Sequence, residues 1–600
     1  MKLRLERDRS SKRLPGEARP ALGPLSLALV SVILGIGAGV GAFVFRSLIA
    51  LVHNLCFLGR FSLHYDTSVH TPAAPWGPAI MLAPVLGSLV VVFLVRNFAP
   101  EAKGHGVPEV MDAIFYGKSV IRPVVAIVKS IASAVSIGTG GSVGREGPIV
   151  QISAAFASWL GGAARVSRWQ RATLVAAGGG AGIAATFNTP IGGMLFAVEI
   201  LLPEVSIRTL VPVALATATA TYLGQRLFGA APAFAVPAVH PAHTAAVLPA
   251  YVLLGALMAL VSVAFIRAIY GAEDLFERLI PRHDYVRHAL GMLGVGLMMT
   301  CLMAATGRYY VEGVGYATII DVLTGRIDGV VWLVALGAMK LAATALTLGS
   351  GGSGGIFSPS LFMGATIGCA FGLLLHGVFP GVPVDAAAFA LAGMAGLVAG
   401  ATGAALTAIV MTFEMTLDYS VVLPMALTVA VSQGARRLLL PQSIYTMKLT
   451  RRGHYLPGAL QANAHLVHHV GEVAMALARV MPASATTADV TSAEGTLPAY
   501  LVLVEGARIV GLVDTRAPEC VGGASRTPVP LFRLARRDFV VAAVDTTLFD
   551  VLAAMQHAKA ELAVVLTGTA GPDGPPPVRG VLTKAHLAET LAEGMEIFED

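Results

Sequence analysis

The run GSVGREGP at residues 141–148 places an arginine and a glutamate between glycines, directly before the apolar segment 149–160. Pro148 suits the first turn of a helix, where its missing N–H group costs nothing. Free N–H groups at such a helix N-terminus, together with the helix dipole, attract an anion. The carboxylate of Glu146 is the nearest candidate. In a soluble protein it would equally serve as an ordinary helix cap, whereas inside a membrane an ionisable residue is a functional candidate.

The composition decides between these settings. The chain has 600 residues, of which 55% are hydrophobic and 13% charged, and its mean hydropathy is +0.72. Soluble domains carry about 25% charged residues, so a membrane protein is predicted. The net charge of +6 comes without a basic stripe of interleaved aromatics, and no nucleic-acid partner is expected. The four scattered cysteines predict neither a disulfide framework nor a metal site.

Apolar segments fill most of the first three quarters of the chain, and glycine-rich breaks divide them. Several are shorter than the roughly 20 residues of a simple membrane span, which favours broken helices that meet inside the bilayer. The pattern occurs twice, and the second glycine-rich break is GSGGSGGIFSP at 349–359. We predict a basic N-terminal segment at 1–22, a transmembrane domain at 23–450 with repeats at about 23–230 and 245–450, and a tail at 451–600. The excess of lysine and arginine in residues 1–22 predicts a cytoplasmic N-terminus.

The tail loses the long apolar runs and gains strand-like stretches. Residues 501–504 and 509–513 predict one hairpin, and residues 562–566 and 578–582 predict another. Helical patterns lie at 548–557 and 584–594. This predicts a soluble α/β module that is built twice.

Five features in fixed order resemble the CLC family of chloride channels and chloride/proton exchangers, in its bacterial type. They are GHGVPE at 104–109, GREGP at 144–148, GGIFSP at 354–359, LTAIVMTFEMT at 406–416, and Tyr445. The resemblance covers about residues 24–450. It implies an all-α polytopic membrane fold of inverted repeats with broken helices, and a homodimer with one anion pathway per subunit. It also implies a multi-pass protein of the cell inner or plasma membrane with both termini cytoplasmic.

The resemblance further implies an anion path. The amides of Ile356 and Phe357 and the hydroxyl of Tyr445 correspond to a central site, while amides around residues 145–147 line an outer site. Partial charges at helix ends bind a dehydrated anion and still let it leave. The implied anion-binding residues are His105, Arg145, Glu146, Gly147, Gly355, Ile356, Phe357, Ser358 and Tyr445. Glu146 would act as the gate, because its ionised carboxylate can occupy the outer site and leave it on protonation.

Two departures from the family pattern bear on mechanism. His105 stands where the family has a serine, so an imidazole would face the central site as a second protonation switch, or would turn away and pack. The family's inner, proton-accepting glutamate falls on Ile200, which carries no proton. Glu199 precedes it, and a one-residue shift turns a helical side chain by about 100°. The possible proton pathway is Glu146, His105 and Glu199, and we expect Glu199 to be structural. Passive, pH-sensitive, channel-like conduction of chloride is therefore favoured, with coupled chloride/proton antiport as the alternative.

The tail resembles a tandem pair of CBS modules, in pieces at about 464–520 and 531–595. In nucleotide-binding copies an aspartate holds the ribose, but His586 stands there in the second copy and Pro518 in the first. Adenine-nucleotide binding is thus doubtful, no other cofactor is expected, and a packing role is as good an interpretation.

The residues argue against two other interpretations, a magnesium transporter and an enzyme. A CBS-regulated magnesium transporter should show clustered intramembrane carboxylates, and an enzyme should show a nucleophile–base motif, a metal motif or a P-loop; the sequence shows none, so we expect no enzyme. The intramembrane Lys129 and Lys340 would raise the potential along an anion path, snorkel, or pair with carboxylates such as Glu109 or Glu414. We favour structural roles for both lysines and for Glu414.

Overall fold

A computed structural model of the chain describes residues 21–234, 247–381, 384–454, 469–473, 475–491, 497–516, 528–568 and 577–587. The chain divides into two compact units, residues 1–456 and 457–600. The predicted N-terminal segment 1–22 lies almost wholly outside the described residues, as do Pro518 and the second half of the helix predicted at 584–594.

The first unit is helical throughout its described part. Its α-helices are α1 Pro24–His53, α2 Ala83–Phe98, α3 Val107–Phe115, α4 Pro123–Gly138, α5 Glu146–Ala163, α6 Arg168–Phe187, α7 Pro190–Phe196, α8 Ile207–Phe228, α9 Leu248–Leu279, α10 Asp284–Thr306, α11 Tyr316–Leu323, α12 Val330–Gly349, α13 Phe357–Val378, α14 Ala386–Thr402, α15 Ala405–Thr416, α16 Val422–Leu439 and α17 Ile444–Arg451. Segment Ala197–Leu201 continues α7 as a π-helix. Six helical segments of the described chain are long and apolar enough to cross a membrane.

The predicted apolar segments match these helices with two differences. Residues 386–415 read as one continuous apolar segment in the sequence but form two helices, because Gly403 adopts φ +85° and ends α14. The short helices α3, α11 and α17 were not predicted, since eight or nine residues are too few to give a spanning signal.

Glycines let the central helices approach closely. A Cβ at Gly178 of α6 would lie 2.7 Å from the carbonyl oxygen of Ser153 in α5, and one at Gly364 of α13 would lie 2.5 Å from that of Gly393 in α14. Small residues permit such backbone contact, which drives helix association in membranes. Large apolar side chains such as Leu25, Leu86 and Leu253 point outward and are more than half exposed, as a lipid-facing surface requires.

The second unit contains two three-stranded sheets with the same order. Strands β1 Ala478–Pro482, β2 Tyr500–Glu505 and β3 Arg508–Asp514 form the first, and β4 Phe539–Ala543, β5 Leu562–Leu566 and β6 Val578–Thr583 form the second. In each, a parallel pair precedes an antiparallel hairpin. Both predicted hairpins and the helix Leu548–His557 are present.

The two copies of the tail fold are interleaved. Before β1, the amide of Val470 donates to the carbonyl of Thr546 at 2.9 Å, and that of Ala476 donates to Val581 at 2.9 Å. One apolar cluster takes side chains from both sheets, among them Val502, Leu512, Val564 and Val581. Sharing a core explains why the copies form one compact unit.

Candidate functional site

The N-termini of α5 and α13 meet head to head at the centre of the first unit. Gly144 and Gly355 pair as an antiparallel bridge, with N–H···O distances of 2.7 and 2.5 Å. Each helix starts two residues after its glycine, with Glu146 first in α5 and Phe357 first in α13. A Cβ at Gly144 would lie 1.9 Å from a carboxylate oxygen of Glu146, so only glycine leaves room for this carboxylate.

Glu146 is 2% exposed and its carboxylate points at the start of α13. The backbone N–H of Ser358 donates to Oε2 at 3.4 Å, and the Ser358 hydroxyl donates to Oε1. The hydroxyl of Tyr316 donates to Oε1 at 3.2 Å and lies 3.0 Å from the Ser358 hydroxyl. The structure therefore brings the predicted residues of the two helix N-termini together around a binding position for one negative charge. These residues are Arg145, Glu146, Gly147, Gly355, Ile356, Phe357 and Ser358.

Tyr316 was not predicted as a site residue. It is the first residue of α11, and the GVG run at 313–315 before it resembles the GHG run at 104–106, which was the available signal. Both runs carry positive φ angles at their two glycines. The Arg145 guanidinium lies 5.3 Å from the Tyr316 ring centroid, so the cation packs against this ring.

His105 and Tyr445 form a second group. Their buried rings are 5.8 Å apart, and Nε2 of His105 lies 3.4 Å from the hydroxyl of Tyr270. Nδ1 of His105 is buried without a hydrogen-bond partner in the described part of the chain. The two groups adjoin, because a Cβ at Gly147 would lie 2.0 Å from the carbonyl oxygen of His105. One nitrogen of this imidazole is thus available to a ligand.

Glu199 lies apart from both groups and caps α15. Its Oε1 accepts from the N–H of Leu406 at 3.0 Å, and its Oε2 accepts from the N–H and the hydroxyl of Thr407, both at 2.7 Å. Glu414 of α15 caps α7 in the same way. It accepts hydrogen bonds from the N–H groups of Ile191 at 3.1 Å and Gly192 at 2.7 Å. Ile200 is buried beside Glu199.

Lys129 and Lys340 hold loops by their carbonyls instead of pairing with the suggested carboxylates. Nζ of Lys129 donates to Ala102 at 3.0 Å and Gly104 at 2.7 Å. Nζ of Lys340 donates to Val311 at 3.1 Å and Gly313 at 2.8 Å. Glu109 pairs with Arg452 and Lys448. The suggested pairing of these lysines with Glu109 or Glu414 is wrong, because the loop carbonyls occupy their ammonium groups.

In the tail, His586 occupies the predicted nucleotide position. Its Nδ1 lies 3.3 Å from the N–H of Thr583 and 3.2 Å from the Thr583 hydroxyl. Asp514 of the first copy is bonded by Arg516, whose guanidinium hydrogen bonds hold the pKa of Asp514 below its usual value. Both side chains are engaged within the protein.

Comparison with known proteins agrees with this architecture. Residues 87–437 match a profile of the family described as "Voltage gated chloride channel". The chain is 32% identical over 442 residues to the "H(+)/Cl(-) exchange transporter ClcA" of Vibrio cholerae, which covers 71% of this chain and 90% of that relative.

Two solved structures share the fold. A slow cyanobacterial Cl-/H+ antiporter matches with a TM-score of 0.64 and 24% identity, over 72% of this chain and 99% of its own. A eukaryotic CLC transporter matches with a TM-score of 0.61 and 18% identity, over 94% of this chain and 98% of its own.

Proposed function

Because this chain belongs to the voltage-gated chloride channel family, we propose that it conducts chloride, or a similar monovalent anion, passively along a pathway gated by Glu146. Membership confirms the resemblance inferred from the motifs, and with it the expectation of an anion transporter in place of an enzyme. The mostly helical fold of CLC structures and the multi-pass membrane character are likewise confirmed.

The observation that carries the proposal is the position of the Glu146 carboxylate between two helix N-termini. A buried charge without partners is very costly, yet here an anionic group is held by one amide and two hydroxyls. Donors that suit a carboxylate also suit a chloride ion, because both carry one negative charge and only accept hydrogen bonds. Glu146 then occupies the outer anion site and closes it.

Protonation provides the opening step. Tyr316 and Ser358 each have a single hydroxyl proton, and both are directed to the ionised carboxylate. A neutral carboxyl group loses the charge-assisted strength of these bonds, which are roughly twice as strong as neutral ones. The side chain then leaves the site to chloride, so anion flux rises as pH falls.

The second group would form the central site. Tyr445 supplies a hydroxyl donor, and the amides of Ile356 and Phe357 supply backbone donors. The Tyr270 hydroxyl gives its proton to the carbonyl of Ile444 and accepts from Nε2 of His105, so Nδ1 of His105 donates only when the ring is protonated. The charged imidazole would favour a bound anion and act as a second protonation switch. Flux measurements on His105→Ser test this role: anion affinity and pH response should both change, and two unaltered profiles would leave His105 a packing residue.

Passive conduction is favoured by the side chains at the inner proton position and next to it. The inner proton position is Ile200, and both oxygens of Glu199 accept hydrogen bonds from α15. Ile200 cannot carry a proton, and the Glu199 carboxylate is already bonded to α15. Neither residue is therefore free to pass protons to Glu146. The alternative is coupled chloride/proton exchange, and it is favoured by the similarity to the Vibrio cholerae relative, which is named as an H(+)/Cl(-) exchange transporter.

Reversal potentials in reconstituted vesicles separate the two. For a channel the reversal potential follows the chloride gradient and ignores a proton gradient imposed at constant chloride. A reproducible shift with the proton gradient would replace conduction by exchange.

Assembly and regulation follow as further proposals. We expect a homodimer in the inner or plasma membrane with both termini cytoplasmic, which chemical cross-linking in membranes and protease accessibility test. The tail would act as a CBS-like regulatory or packing domain. Since His586 is engaged within the protein and Pro518 replaces the aspartate in the first copy, we expect no heat of binding when ATP or AMP is titrated into the full chain.

A further inference from the structure

An enclosed cavity of ≈ 20 Å³ lies beside the gate, where α1 ends and α5 begins. We call it the Arg46 chamber; its polar side chains are those of Arg46, His53, Tyr65, Thr67, Arg145 and Glu312. A neighbouring cavity shares Tyr65 and Glu312 and reaches Tyr316, the residue that bonds Glu146. The chamber thus adjoins the gate, but Arg46, His53 and Glu312 belong to neither anion site described above.

Three polar atoms of chamber residues lack partners. Nδ1 of His53, Nε of Arg145 and Oε2 of Glu312 are buried without a hydrogen bond in the described part of the chain. Native proteins satisfy nearly all such atoms. A cavity above about 10–15 Å³ accommodates one water-sized species. Three unsatisfied atoms around one such cavity indicate that it holds a small polar ligand.

Rings on neighbouring elements fix the charged side chains. The Arg46 guanidinium lies 4.6 Å from the Phe228 ring centroid, and that of Arg145 lies 5.3 Å from Tyr316. The His53 ring stacks on Tyr65 at 3.7 Å. Two arginines held in place by packing need little rearrangement to receive an anion, which favours binding.

The hydrogen-bond chain decides what the chamber accepts at neutral pH. Thr71 donates its proton to Oε1 of Glu312, so it accepts from Nε2 of His53 at 3.1 Å. Nδ1 of a neutral His53 is then an acceptor, as is Oε2 of Glu312, while Nε of Arg145 donates. A water molecule satisfies all three atoms, because it donates twice and accepts.

Uptake of protons reverses the preference. Protonated His53 presents an N–H at Nδ1, and protonated Glu312 removes the negative charge opposite the arginines. We propose that the Arg46 chamber is a proton-loaded anion site, which holds water at neutral pH and a chloride-sized monovalent anion at acid pH. The site would concentrate anions beside Glu146, and this consequence alone rests on the proposed function.

Other charged and titratable groups face Glu312 from several elements. Lys340 of α12 bonds the carbonyls on either side of it, at Val311 and Gly313, and His70 lines the neighbouring cavity. The set is Arg46, His53, Tyr65, His70, Arg145, Tyr309, Tyr310, Tyr316 and Lys340. Five of these, namely Arg46, His53, His70, Arg145 and Lys340, carry or can carry positive charge, so the chamber remains electropositive once the Glu312 carboxylate is neutral.

Bromide replaces chloride as the probe. Crystals of the full chain in bromide at about pH 4.5 should give an anomalous peak in the chamber that is lost at about pH 7.5. Glu312→Gln, which resembles the protonated state, should retain the peak at both values. Water alone in the wild-type chamber at acid pH would overturn the proposal.

Flux supplies the second measurement. Arg46→Gln should raise the KM for chloride at acid pH by about tenfold, the effect of one lost hydrogen bond to a charged group, and leave maximal flux unchanged. Arg226→Gln is the control, because Arg226 also packs on a ring, that of Tyr222 at 5.4 Å, outside the chamber. Equal effects of both variants would refute the site.

The gate is tested apart from the chamber. If Glu146→Ala retains most of the pH dependence of flux at saturating chloride, where filling of the chamber no longer limits the flux, the proposed gate is wrong, yet the bromide peak still decides the chamber. If Glu146→Ala removes that dependence and the peak is absent, only the chamber is wrong.

Discussion

The first and second repeats of the membrane unit hold their loops with the same devices. Lys129 and Lys340 each donate to two loop carbonyls before a short helix. Glu199 and Glu414 each cap a helix of the other repeat. The amides of Gly141 and Gly352 donate to Ser136 and Thr347 at 2.8 and 2.9 Å. The scaffold is thus used twice.

The side chains placed on that scaffold differ. Where α5 presents Arg145 and Glu146, α13 presents Ile356 and Phe357. The GHG run of the first repeat carries an imidazole, whereas the GVG run of the second is followed by Tyr316. The comparison teaches that duplication supplies two opposed helix N-termini, and that substitution at a few positions makes one of them titratable.

The largest expected effect contrasts Glu146 with Phe357. Glu146→Gln should raise flux at about pH 7.5 by about tenfold or more, because a neutral amide loses charge-assisted hydrogen bonds. The pH dependence should largely vanish. Phe357→Leu should retain that dependence, since no proton is involved. Flux from reconstituted vesicles measures both, and a persistent pH profile in Glu146→Gln would remove the gate.

Lys129→Met and Lys340→Met test the shared scaffold. Each leaves two buried carbonyls unpaired, which should cost about 2 kcal/mol or more. Thermal unfolding in detergent should show similar losses for both, with the exposed Lys118→Met as control. Unequal losses would show that the repeats do not depend on these ammonium groups alike.

Tyr316→Phe tests the contribution of the second repeat to the gate. It removes one hydroxyl donor and keeps the ring that packs on Phe234. The ionised, closed carboxylate loses stabilisation, so the pH of half-maximal flux should rise by about one unit. Tyr310→Phe, outside the Glu146 contacts, is the control. A midpoint that stays in place would mean that Ser358 alone holds the carboxylate.

Glu199→Gln and Glu414→Gln separate a structural role from a proton role. Each cap should contribute about 1 kcal/mol, because a carboxylate meets two N–H groups at a helix N-terminus. Melting temperatures should fall alike, and reversal potentials should stay unchanged. A change in proton response confined to Glu199→Gln would return this residue to the proton pathway.

The tail offers the smallest effect, in its own pair of copies. The bonded guanidinium of Arg536 holds the pKa of Asp538 below its usual value, as Arg516 does for Asp514. An aspartate whose pKa is lowered in the folded protein stabilises the fold at pH values above its pKa in the unfolded chain, about 3.9. This contribution is lost as the pH falls below about 4. Since both pairs lie at the surface, each contributes less than about 1 kcal/mol. The protection factors of β4–β6 against hydrogen exchange, measured in the full chain, should fall at about pH 3, and Asp538→Asn should reduce that pH response. An unchanged response would mean that the pair contributes nothing.

The motifs and the periodicity determined much of this protein. Glycine runs, apolar segments below spanning length and the hairpin pattern of the tail predicted the repeats, the broken helices and both hairpins. These features are local, because backbone conformation and the length of an apolar segment depend on residues that are neighbours in the sequence. Their positions in the motifs also marked Glu146, Ser358, His105 and Ile200 as residues that bear on the anion path.

Only the tertiary structure decided which side chains meet. Tyr316 reaches Glu146 from a helix too short to predict, Lys340 bonds carbonyls instead of a carboxylate, and Glu199 spends both oxygens on the opposite repeat. The chamber brings Arg46 and His53 of α1 together with Arg145 and Glu312, from three distant stretches of the chain. Such contacts follow from how distant segments of the chain pack against one another, and no pattern along a single stretch of sequence encodes that packing.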